Sequence, residues 1–219
     1  KAGELFMNAE LPLGDGTQTA DEYRESLSST SGLPLSLIRR NMAKIYEVFT
    51  EMETIVKGLT RGLDASVLDA GIGTQNGVPV SFFPTTTELG VTLPSNSPGV
   101  NSLWMPAIAL KTPVVLKPGR EEPWTPFRLI QAFIAAGVPA SAFGFYPTDH
   151  EGFGEVLKLS GRALIFGDAN TVAHGQVLRG GDAFAEFFLR PVFIETGSAC
   201  RAREQRARQQ QPHPRGKHH

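Results

Sequence analysis

Lys117 stands where a basic side chain could bind a ligand. The apolar run Pro113-Val114-Val115-Leu116 is typical of a buried strand, and Lys117-Pro118-Gly119 follows it directly. A side chain at the carboxyl end of such a strand faces the ligand crevice of an α/β sheet, where an ammonium group can donate to ribose hydroxyls or to a phosphate. Pro118 and Gly119 then turn the chain away. Two interpretations stay open here, a ligand-binding lysine and a solvated one.

A glycine-rich segment, Gly71-Ile72-Gly73-Thr74-Gln75-Asn76-Gly77, suggests a dinucleotide-binding fingerprint. Such a fingerprint works only between a strand and the N-terminus of a helix, which faces the pyrophosphate. No clear strand precedes this segment and no helix pattern follows it. We therefore predict an ordinary glycine-rich turn.

Cys200 is the only cysteine of the chain and could serve as a nucleophile. It lies in a basic, polar segment that offers no rigid support for near-attack geometry, so an incidental free thiol is the preferred interpretation. One cysteine cannot form an internal disulfide or a zinc cluster, which favours a reducing, cytoplasmic setting without a structural metal.

The composition excludes several classes of protein. The 219 residues are 41% hydrophobic and 20% charged, which excludes disordered and collagen-like chains. Twenty-one basic and 22 acidic residues give a formal net charge of -1, so bulk charge attracts neither nucleic acid nor a membrane surface. No apolar run approaches the roughly 20 residues that span a bilayer. We expect neither a nucleic-acid partner nor a membrane partner.

Two N-terminal regions precede the apolar run. Residues 1–32 lack sustained periodicity and are expected to form a loosely structured arm. Residues 33–79 are expected to form a helical segment that packs on the core. Its helix is predicted over residues 36–60, because apolar residues recur there at three- and four-residue steps: Ile38, Met42, Ile45, Phe49, Met52, Ile55 and Leu59.

Residues 80–200 carry the pattern of an α/β domain. Strands are predicted at Ser81–Phe83, Leu89–Leu93, Pro113–Leu116, Ala142–Tyr146 and Ala163–Phe166, and helices at 150–159 and from a cap at Thr125 to Gly137, with a further helix able to begin within 100–110. Strand, crossover helix and strand form a right-handed parallel unit. The predicted fold is α/β, a Rossmann-like, doubly wound, mostly parallel sheet with an N-terminal helical segment, in which residues 80–200 are the dinucleotide-binding domain.

The last segment, residues 201–219, differs in composition. It has five arginines and one lysine against one glutamate and shows no apolar periodicity, so we predict a disordered basic tail. RNA or lipid binding is the less favoured alternative, because the tail has no aromatic residue on which a base could stack. The sequence starts at Lys1, from which we expect a fragment or a processed product.

Four segments in fixed order carry a family resemblance: Leu93-Pro94-Ser95-Asn96-Ser97-Pro98, Trp104-Met105-Pro106-Ala107, Leu110 to Pro118, and Ala136-Gly137-Val138-Pro139. In order and spacing they resemble the aldehyde dehydrogenase superfamily, over roughly residues 85–168. The resemblance implies an oxidoreductase that acts on an aldehyde or an acyl-CoA with NAD or NADP. It is also compatible with a homo-oligomer.

The resemblance also implies roles for particular residues. Asn96 corresponds to the amide donor of the oxyanion hole, Glu195 in Ile194-Glu195-Thr196-Gly197 to the general base, and Lys117 to the lysine that holds the adenosine ribose. Pro147 followed by Gly154 is similar to a turn at the adenine site, and Phe166-Gly167-Asp168 to the motif at the pyrophosphate. The cofactor-binding residues implied are Pro94, Ser95, Lys117, Gly119, Arg120, Gly154, Gly167 and Asp168.

Departures from the family pattern leave the cofactor open. Arg120 occupies the position, three residues after the lysine, where many NAD-using members have a glutamate, and an arginine suits a phosphate better than a diol. Glu121 next to it weakens that inference, and Ser95 replaces a common aromatic residue, as in acyl-CoA reductase-like branches. We expect the cofactor-binding portion of an enzyme without its catalytic domain, and therefore no turnover by this chain alone. The alternative is a non-catalytic nucleotide-binding or interaction module.

Overall fold

A helical N-terminal layer and a following parallel sheet make up the structure, a computed structural model that describes residues 1–166 apart from the side chain of His150. Its elements, in chain order, are α1 (Ala2–Asn8), β1 (Leu11–Leu13), β2 (Gly16–Gln18), α2 (Ala20–Ser31), α3 (Leu35–Thr50), α4 (Met52–Leu59), α5 (Val67–Ala70), β3 (Ile72–Gln75), β4 (Val78–Ser81), β5 (Leu89–Thr92), α6 (Met105–Ala109), β6 (Val114–Lys117), α7 (Trp124–Ala136), β7 (Phe143–Phe145), α8 (His150–Leu159) and β8 (Arg162–Ile165). Short 3-10 helices span Pro98–Leu103 and Ala140–Ala142.

Within residues 1–166, the central sheet has four parallel strands in the order β7-β6-β5-β8. The chain moves outward from β5 through β6 to β7 and then returns to the other side of β5 for β8. This reversal makes the sheet doubly wound and confirms the predicted α/β fold. In register, Val91 of β5 lies beside Leu116 of β6 and Leu164 of β8. The carboxyl ends of these strands therefore meet at one edge, where ligands bind in such folds.

Helix α7 crosses between β6 and β7 and is buried along most of its length. Gly137 ends it in a left-handed conformation with φ 113°, as the predicted C-terminus requires. The predicted cap at Thr125 is wrong, because the helix begins earlier and Pro123 is its N-cap. The Thr125 backbone N–H instead donates to the Glu122 carboxylate at 2.8 Å, so Glu122 satisfies the donor that a cap would have used.

One apolar core joins the helical layer to the sheet. Its aromatic centre is Phe133 of α7, whose ring centroid lies 5.1 Å from that of Phe49 on α3 and 6.1 Å from that of Trp104. Fully buried members come from both layers: Phe6, Tyr23, Leu27, Ile38, Ile45, Val91, Trp104, Met105, Val114, Leu116 and Leu129. Neither layer could bury its apolar face without the other.

Residues 1–32 are ordered, and the expectation of a loosely structured arm is wrong. Helix α2 begins with a capping box in which Thr19 and Glu22 satisfy each other's backbone donors. The guanidinium of Arg128 on α7, 2% exposed, donates to the carbonyl oxygens of Phe6, Ala9 and Gln18 at 2.6 to 3.1 Å. A side chain more than a hundred positions away thus orders the segment, and local periodicity cannot reveal such a bond.

The helix predicted over residues 36–60 exists as two helices, α3 and α4, which meet at Glu51. The glycine-rich segment contains the predicted turn at Asn76 and Gly77, both with positive φ. The residues before this turn form β3, a strand that was not predicted and that pairs antiparallel with β4. The strand predicted at 81–83 is wrong, because the paired strand β4 is Val78–Ser81 and ends where that prediction begins.

The other predicted strands and helices of the sheet are confirmed to within one or two residues as β5, β6, β7, β8 and α8. Within residues 1–166 no helix is both long and apolar enough to cross a membrane. Gly167, Asp168, Glu195, Cys200 and the tail at 201–219 lie outside the described residues, so their predictions stay predictions.

Candidate functional site

A cavity of about 710 Å³ opens at the carboxyl ends of the parallel strands. Three loops form it, and each leaves a neighbouring strand: the loop after β5, the loop between β6 and α7, and the loop between β7 and α8. The lining residues are Leu93, Pro94, Ser95, Lys117, Pro118, Gly119, Arg120, Glu121, Pro123, Pro147, Thr148 and Asp149. The sheet topology alone brings these distant segments together.

Lys117 is the last residue of β6 and lines this cavity in a half-buried position. Burial lowers the pKa of its ammonium group, while the carboxylates of Asp149 and Glu121 act in the opposite direction. This lysine lies at a strand end and faces a crevice, as its place in the sequence predicts. Its ammonium group is therefore available as a donor to a ligand in the cavity.

Gly119 allows the loops after β5 and β6 to touch. A Cβ at this position would lie 2.6 Å from the carbonyl carbon of Pro94 and 2.6 Å from the backbone nitrogen of Ser95. Both are backbone atoms, so no side-chain rotation could relieve the clash. The Leu93 backbone N–H also donates to the Lys117 carbonyl oxygen at 2.8 Å. Gly119 is therefore required for the shape of the cavity wall.

The Glu121 backbone is held from two sides. Its N–H donates to the Ser95 hydroxyl oxygen at 3.3 Å, and its carbonyl oxygen accepts from the Thr30 hydroxyl of α2 at 2.8 Å. The Thr30 oxygen in turn accepts from the indole N–H of Trp124 at 2.9 Å. Hydrogen bonding with Ser95 holds the pKa of the Glu121 carboxyl below its ordinary value. Helix α2 thus supports the wall of the cavity.

The remaining site residues predicted within 1–166 differ in position. Pro94, Ser95 and Arg120 line the cavity, and the Arg120 side chain is exposed. Asn96 is exposed in the loop after β5 and is not among the cavity-lining residues. The turn expected around Gly154 is wrong: this glycine is buried inside α8 and lines no described cavity.

Asp149 is a second carboxylate in the cavity, and it was not predicted from the sequence. Asp149 is the N-cap of α8, and its carboxylate accepts from the backbone N–H groups of Glu151 and Gly152 at 3.0 and 3.2 Å. Chiefly the Gly152 bond lowers the pKa of this carboxyl. An aspartate directly before a predicted helix is a recognisable N-cap signal, so this residue could have been found from the sequence.

A second cavity, of about 780 Å³, adjoins the first and shares Thr148 with it. It lies between α8 and the sheet, and its lining is mostly apolar. The lining residues are Thr87, Glu88, Pro113, Val115, Tyr146, Thr148, Gly152, Glu155, Val156, Leu159 and Ser160. The two cavities together could accept an elongated ligand with a polar part and a flat apolar part.

A buried polar cluster lies behind the Lys117 loop. Glu122 is fully buried; one of its carboxylate oxygens accepts from the Thr125 N–H, and the other has no hydrogen-bond partner among the described residues. Burial raises the pKa of Glu122 to about 7. The hydroxyl of Tyr23 on α2 lies 2.8 Å from the hydroxyl of Thr125, and burial raises the pKa of this tyrosine. The cluster joins α2, α7 and the cavity loop.

Comparison with known proteins identifies the family. The family model "Aldehyde dehydrogenase family" matches residues 17–162, about two thirds of the chain. The chain belongs to the aldehyde dehydrogenase family. The predicted resemblance is thereby confirmed. The matched segment begins well before residue 85, among the N-terminal elements, and ends at residue 162. No match was found among curated proteins.

Solved structures support the same fold for this aldehyde dehydrogenase family chain. An NAD-dependent aldehyde dehydrogenase from Sinorhizobium meliloti aligns with a TM-score of 0.60 at 20% identity, over 82% of this chain and 33% of that one. Aldehyde dehydrogenase 21 from Physcomitrella patens, in complex with succinate, aligns with a TM-score of 0.54 at 21% identity, over 74% and 34%. An oxidoreductase from Marinobacter aquaeolei gives 0.58 at 16% identity, over 81% and 34%. The chain spans about a third of the length of these proteins.

Proposed function

We propose that this chain is the cofactor-binding portion of an aldehyde dehydrogenase-type oxidoreductase, and that it binds NAD or NADP in the Lys117 cavity. The substrate of the whole enzyme would be an aldehyde or an acyl-CoA. The carrying observation is the position of Lys117, which lines a cavity at the carboxyl ends of parallel strands. Family membership, shown by residues 17–162, points to the same class of reaction.

The donor set of the cavity fits a nicotinamide dinucleotide. Lys117 supplies a cationic donor and Glu121 a carboxylate acceptor, and this combination suits ribose hydroxyls, which both donate and accept hydrogen bonds. Gly119 lets the chain pass close to Pro94, and a Cβ would fill that space. The apolar face formed by Val115 and Val156 in the adjoining cavity suits a planar base. When bound, the dinucleotide would accept a hydride from an aldehyde substrate or, in its reduced form, would donate one to an acyl-CoA.

The chain's own residues would bind and orient the cofactor. Lys117 would hold the ribose, and the loops that carry Pro94, Ser95 and Gly119 would form the wall against which it lies. We propose that Asn96 stabilises an oxyanion and that Glu195 acts as a base, as the resemblance implies. Gly167 and Asp168 are proposed to lie near the pyrophosphate.

One observation favours the alternative, a non-catalytic nucleotide-binding or interaction module. The side chain of Asn96, the proposed oxyanion donor, is exposed and does not line the cavity. Both functions predict dinucleotide binding without turnover by this chain alone, so an absorbance assay at 340 nm does not separate them. The DNA immediately downstream of the coding segment, read in all three frames, does separate them: a continuation with a Gly-x-x-Cys segment and a further α/β domain supports the enzyme, whereas an immediate stop codon supports the module.

Titration calorimetry with NAD⁺ and NADP⁺ tests binding itself, with the purified 219-residue chain in the cell. Saturable binding of at least one dinucleotide, at one site per chain, is expected. Circular dichroism run on the same sample establishes that the chain is folded. A folded chain that binds neither dinucleotide at millimolar concentration would overturn the proposed function.

A further inference from the structure

Thr30 lies outside the Lys117 cavity but is hydrogen-bonded to its wall. It belongs to the last turn of α2 and is not among the residues that line the cavity. Its hydroxyl donates to the Glu121 carbonyl oxygen at 2.8 Å, and the same oxygen accepts from the indole N–H of Trp124 at 2.9 Å. One exposed side chain therefore joins the helical layer both to the cavity loop and to the start of α7.

Helix α2 gives Thr30 a fixed base. Tyr23, Leu27 and Thr30 are spaced by four and three residues, so they lie on one face of the helix. Tyr23 and Leu27 are fully buried in the apolar core. The Tyr23 hydroxyl lies 2.8 Å from the hydroxyl of Thr125, the residue that follows Trp124 on α7. Buried contacts thus set the position of α2 without help from Thr30, and they place Thr30 beside the loop.

The hydroxyl proton of Thr30 has two acceptors within reach among the described residues, and a hydroxyl can donate to only one at a time. The Ser26 carbonyl oxygen of α2 lies 3.0 Å away and already accepts from the Ser29 hydroxyl at 2.9 Å. The Glu121 carbonyl oxygen is nearer, at 2.8 Å. The bond between α2 and the cavity loop is therefore the favoured one.

This bond is shorter than two others that hold the main chain of the cavity loop. The Glu121 N–H donates to the Ser95 hydroxyl oxygen and the Glu122 N–H to the Gly119 carbonyl oxygen, each at 3.3 Å. Without the Thr30 hydroxyl, water would bond to the Glu121 carbonyl oxygen, since this residue is exposed. The fold would persist, but the loop would sample more positions, and a ligand would have to order it on binding.

We propose that Thr30 is a positioning residue for the cavity. Its hydroxyl holds the loop between Lys117 and Pro123 in the conformation that binds the dinucleotide, and it does so without touching the ligand. The inference rests on the proposed function and deepens it, because it assigns part of the control of cofactor affinity to the N-terminal helical layer. The hydroxyl is the group that acts, so a serine at this position should serve as well as the threonine.

Titration calorimetry with NAD⁺ and with NADP⁺ tests this role on the full chain and three variants. Thr30→Val keeps the branched shape and removes the hydroxyl, whereas Thr30→Ser keeps the hydroxyl. Ser29→Ala is the control, because the exposed Ser29 hydroxyl bonds only within α2, to Ser26. Thr30→Val is expected to weaken binding of the tighter dinucleotide about five-fold, because ordering of the loop then opposes binding. Thr30→Ser and Ser29→Ala should bind like the native chain.

Two measurements on the ligand-free chains separate positioning from a general effect on stability. The melting temperature of Thr30→Val is expected to stay within about 4 °C of the native value, because water replaces a hydroxyl at an exposed site. Iodide quenching reports on Trp124, since Trp104, the other tryptophan of the chain, is fully buried. Loss of the bond to the indole N–H should increase this quenching in Thr30→Val, and Thr30→Ser should restore it.

Three results would overturn the inference while leaving the proposed function intact. The first is a dissociation constant of Thr30→Val within two-fold of the native value. The second is a Thr30→Ser variant that binds as weakly as Thr30→Val, which would assign the effect to the methyl group. The third is loss of the fold in Thr30→Val, because the hydroxyl would then be a general structural group. Absence of dinucleotide binding by the folded native chain is a different outcome, since it overturns the proposed function and this inference with it.

Discussion

Gly119 lies so close to Pro94 that a Cβ on the glycine would be 2.6 Å from the proline's carbonyl carbon. This contact connects the loops after β5 and β6, which together form most of the Lys117 cavity. The same contact is therefore needed both for the packing of the two loops and for the shape of the cavity that would bind a ligand. A substitution at this position should affect both stability and affinity.

Gly119→Ala is expected to destabilise the chain by about 1–3 kcal/mol, because the added methyl group forces two backbone segments apart. It should also weaken dinucleotide binding, since the cavity wall moves. Gly58 provides the matched control. It is exposed in α4 and a Cβ there would meet nothing within 4 Å. Gly58→Ala should be neutral or stabilising by about 0.5–1 kcal/mol.

Urea denaturation of both alanine variants measures these differences. Equal stability of Gly119→Ala and the native chain would show that the two loops separate without cost. In that case the close approach at Pro94 would not hold the cavity together.

The raised pKa of Glu122 leads us to expect an unusual dependence of stability on pH. Its pKa is about 7 in the folded chain against an ordinary value of 4.5. Between these values the folded chain holds a proton that the unfolded chain has lost, so the free energy of unfolding falls as pH rises. The stabilisation is fully present below about pH 4.5 and is lost above about pH 7, with an amplitude of about 3 kcal/mol.

Glu122→Gln should remove this contribution, because an amide does not titrate in this range. We expect the native chain to lose stability relative to the variant as pH rises. The free energy of unfolding of the variant minus that of the native chain should therefore increase from pH 5 to pH 8. Glu53→Gln, at an exposed position on α4, is the control and should show a flat difference. A flat difference for Glu122→Gln as well would mean that this carboxyl is ionised in the fold at every pH tested.

The hydrogen bonds of Arg128 lead us to expect that the order of the N-terminal segment depends strongly on this one side chain. Arg128→Met keeps the length of the side chain and removes the donors to Phe6, Ala9 and Gln18. It also removes the cation from its position 5.4 Å from the Tyr23 ring centroid. We expect a loss of about 3 kcal/mol or more, because buried carbonyl oxygens lose their partners.

Limited proteolysis measures the local effect of that substitution. The variant should be cleaved before residue 20 much faster than the native chain, whereas Arg40→Met, at an exposed site on α3, should not be. Equal cleavage of Arg128→Met and the native chain would show that the N-terminal segment is ordered by other contacts.

Much of the sheet could be predicted from the sequence because its signals are local. The buried run before Lys117 and the periodicity of α7 correctly predict β6 and the crossover helix. The capping box of Thr19 and Glu22 is also a local signal, and it could have predicted α2. Residues 1–18 could not be predicted in this way. Their order depends on Arg128, which is 110 to 122 residues away in the chain for the bonds to Gln18 and Phe6.

The candidate site shows the same division between local and distant contacts. Lys117 was identified because its position follows from a strand and a turn alone. The contacts of Glu121 with Ser95 and Thr30 depend on how three segments pack. These contacts could not be predicted from the sequence, in which Glu121 is notable only as the neighbour of Arg120. The break between α3 and α4 was missed because the apolar spacing continues across Glu51.

The most direct test of the account uses fluorescence titration to measure the dissociation constant of NADH for three proteins: the native chain, Lys117→Ala and Lys44→Ala. Lys44 is exposed on α3 and does not line the cavity, so its replacement should leave the dissociation constant unchanged. Loss of the charge-assisted hydrogen bond of Lys117 should weaken binding about ten-fold or more. An identical dissociation constant for the native chain and Lys117→Ala would contradict the assignment of this cavity as the cofactor site.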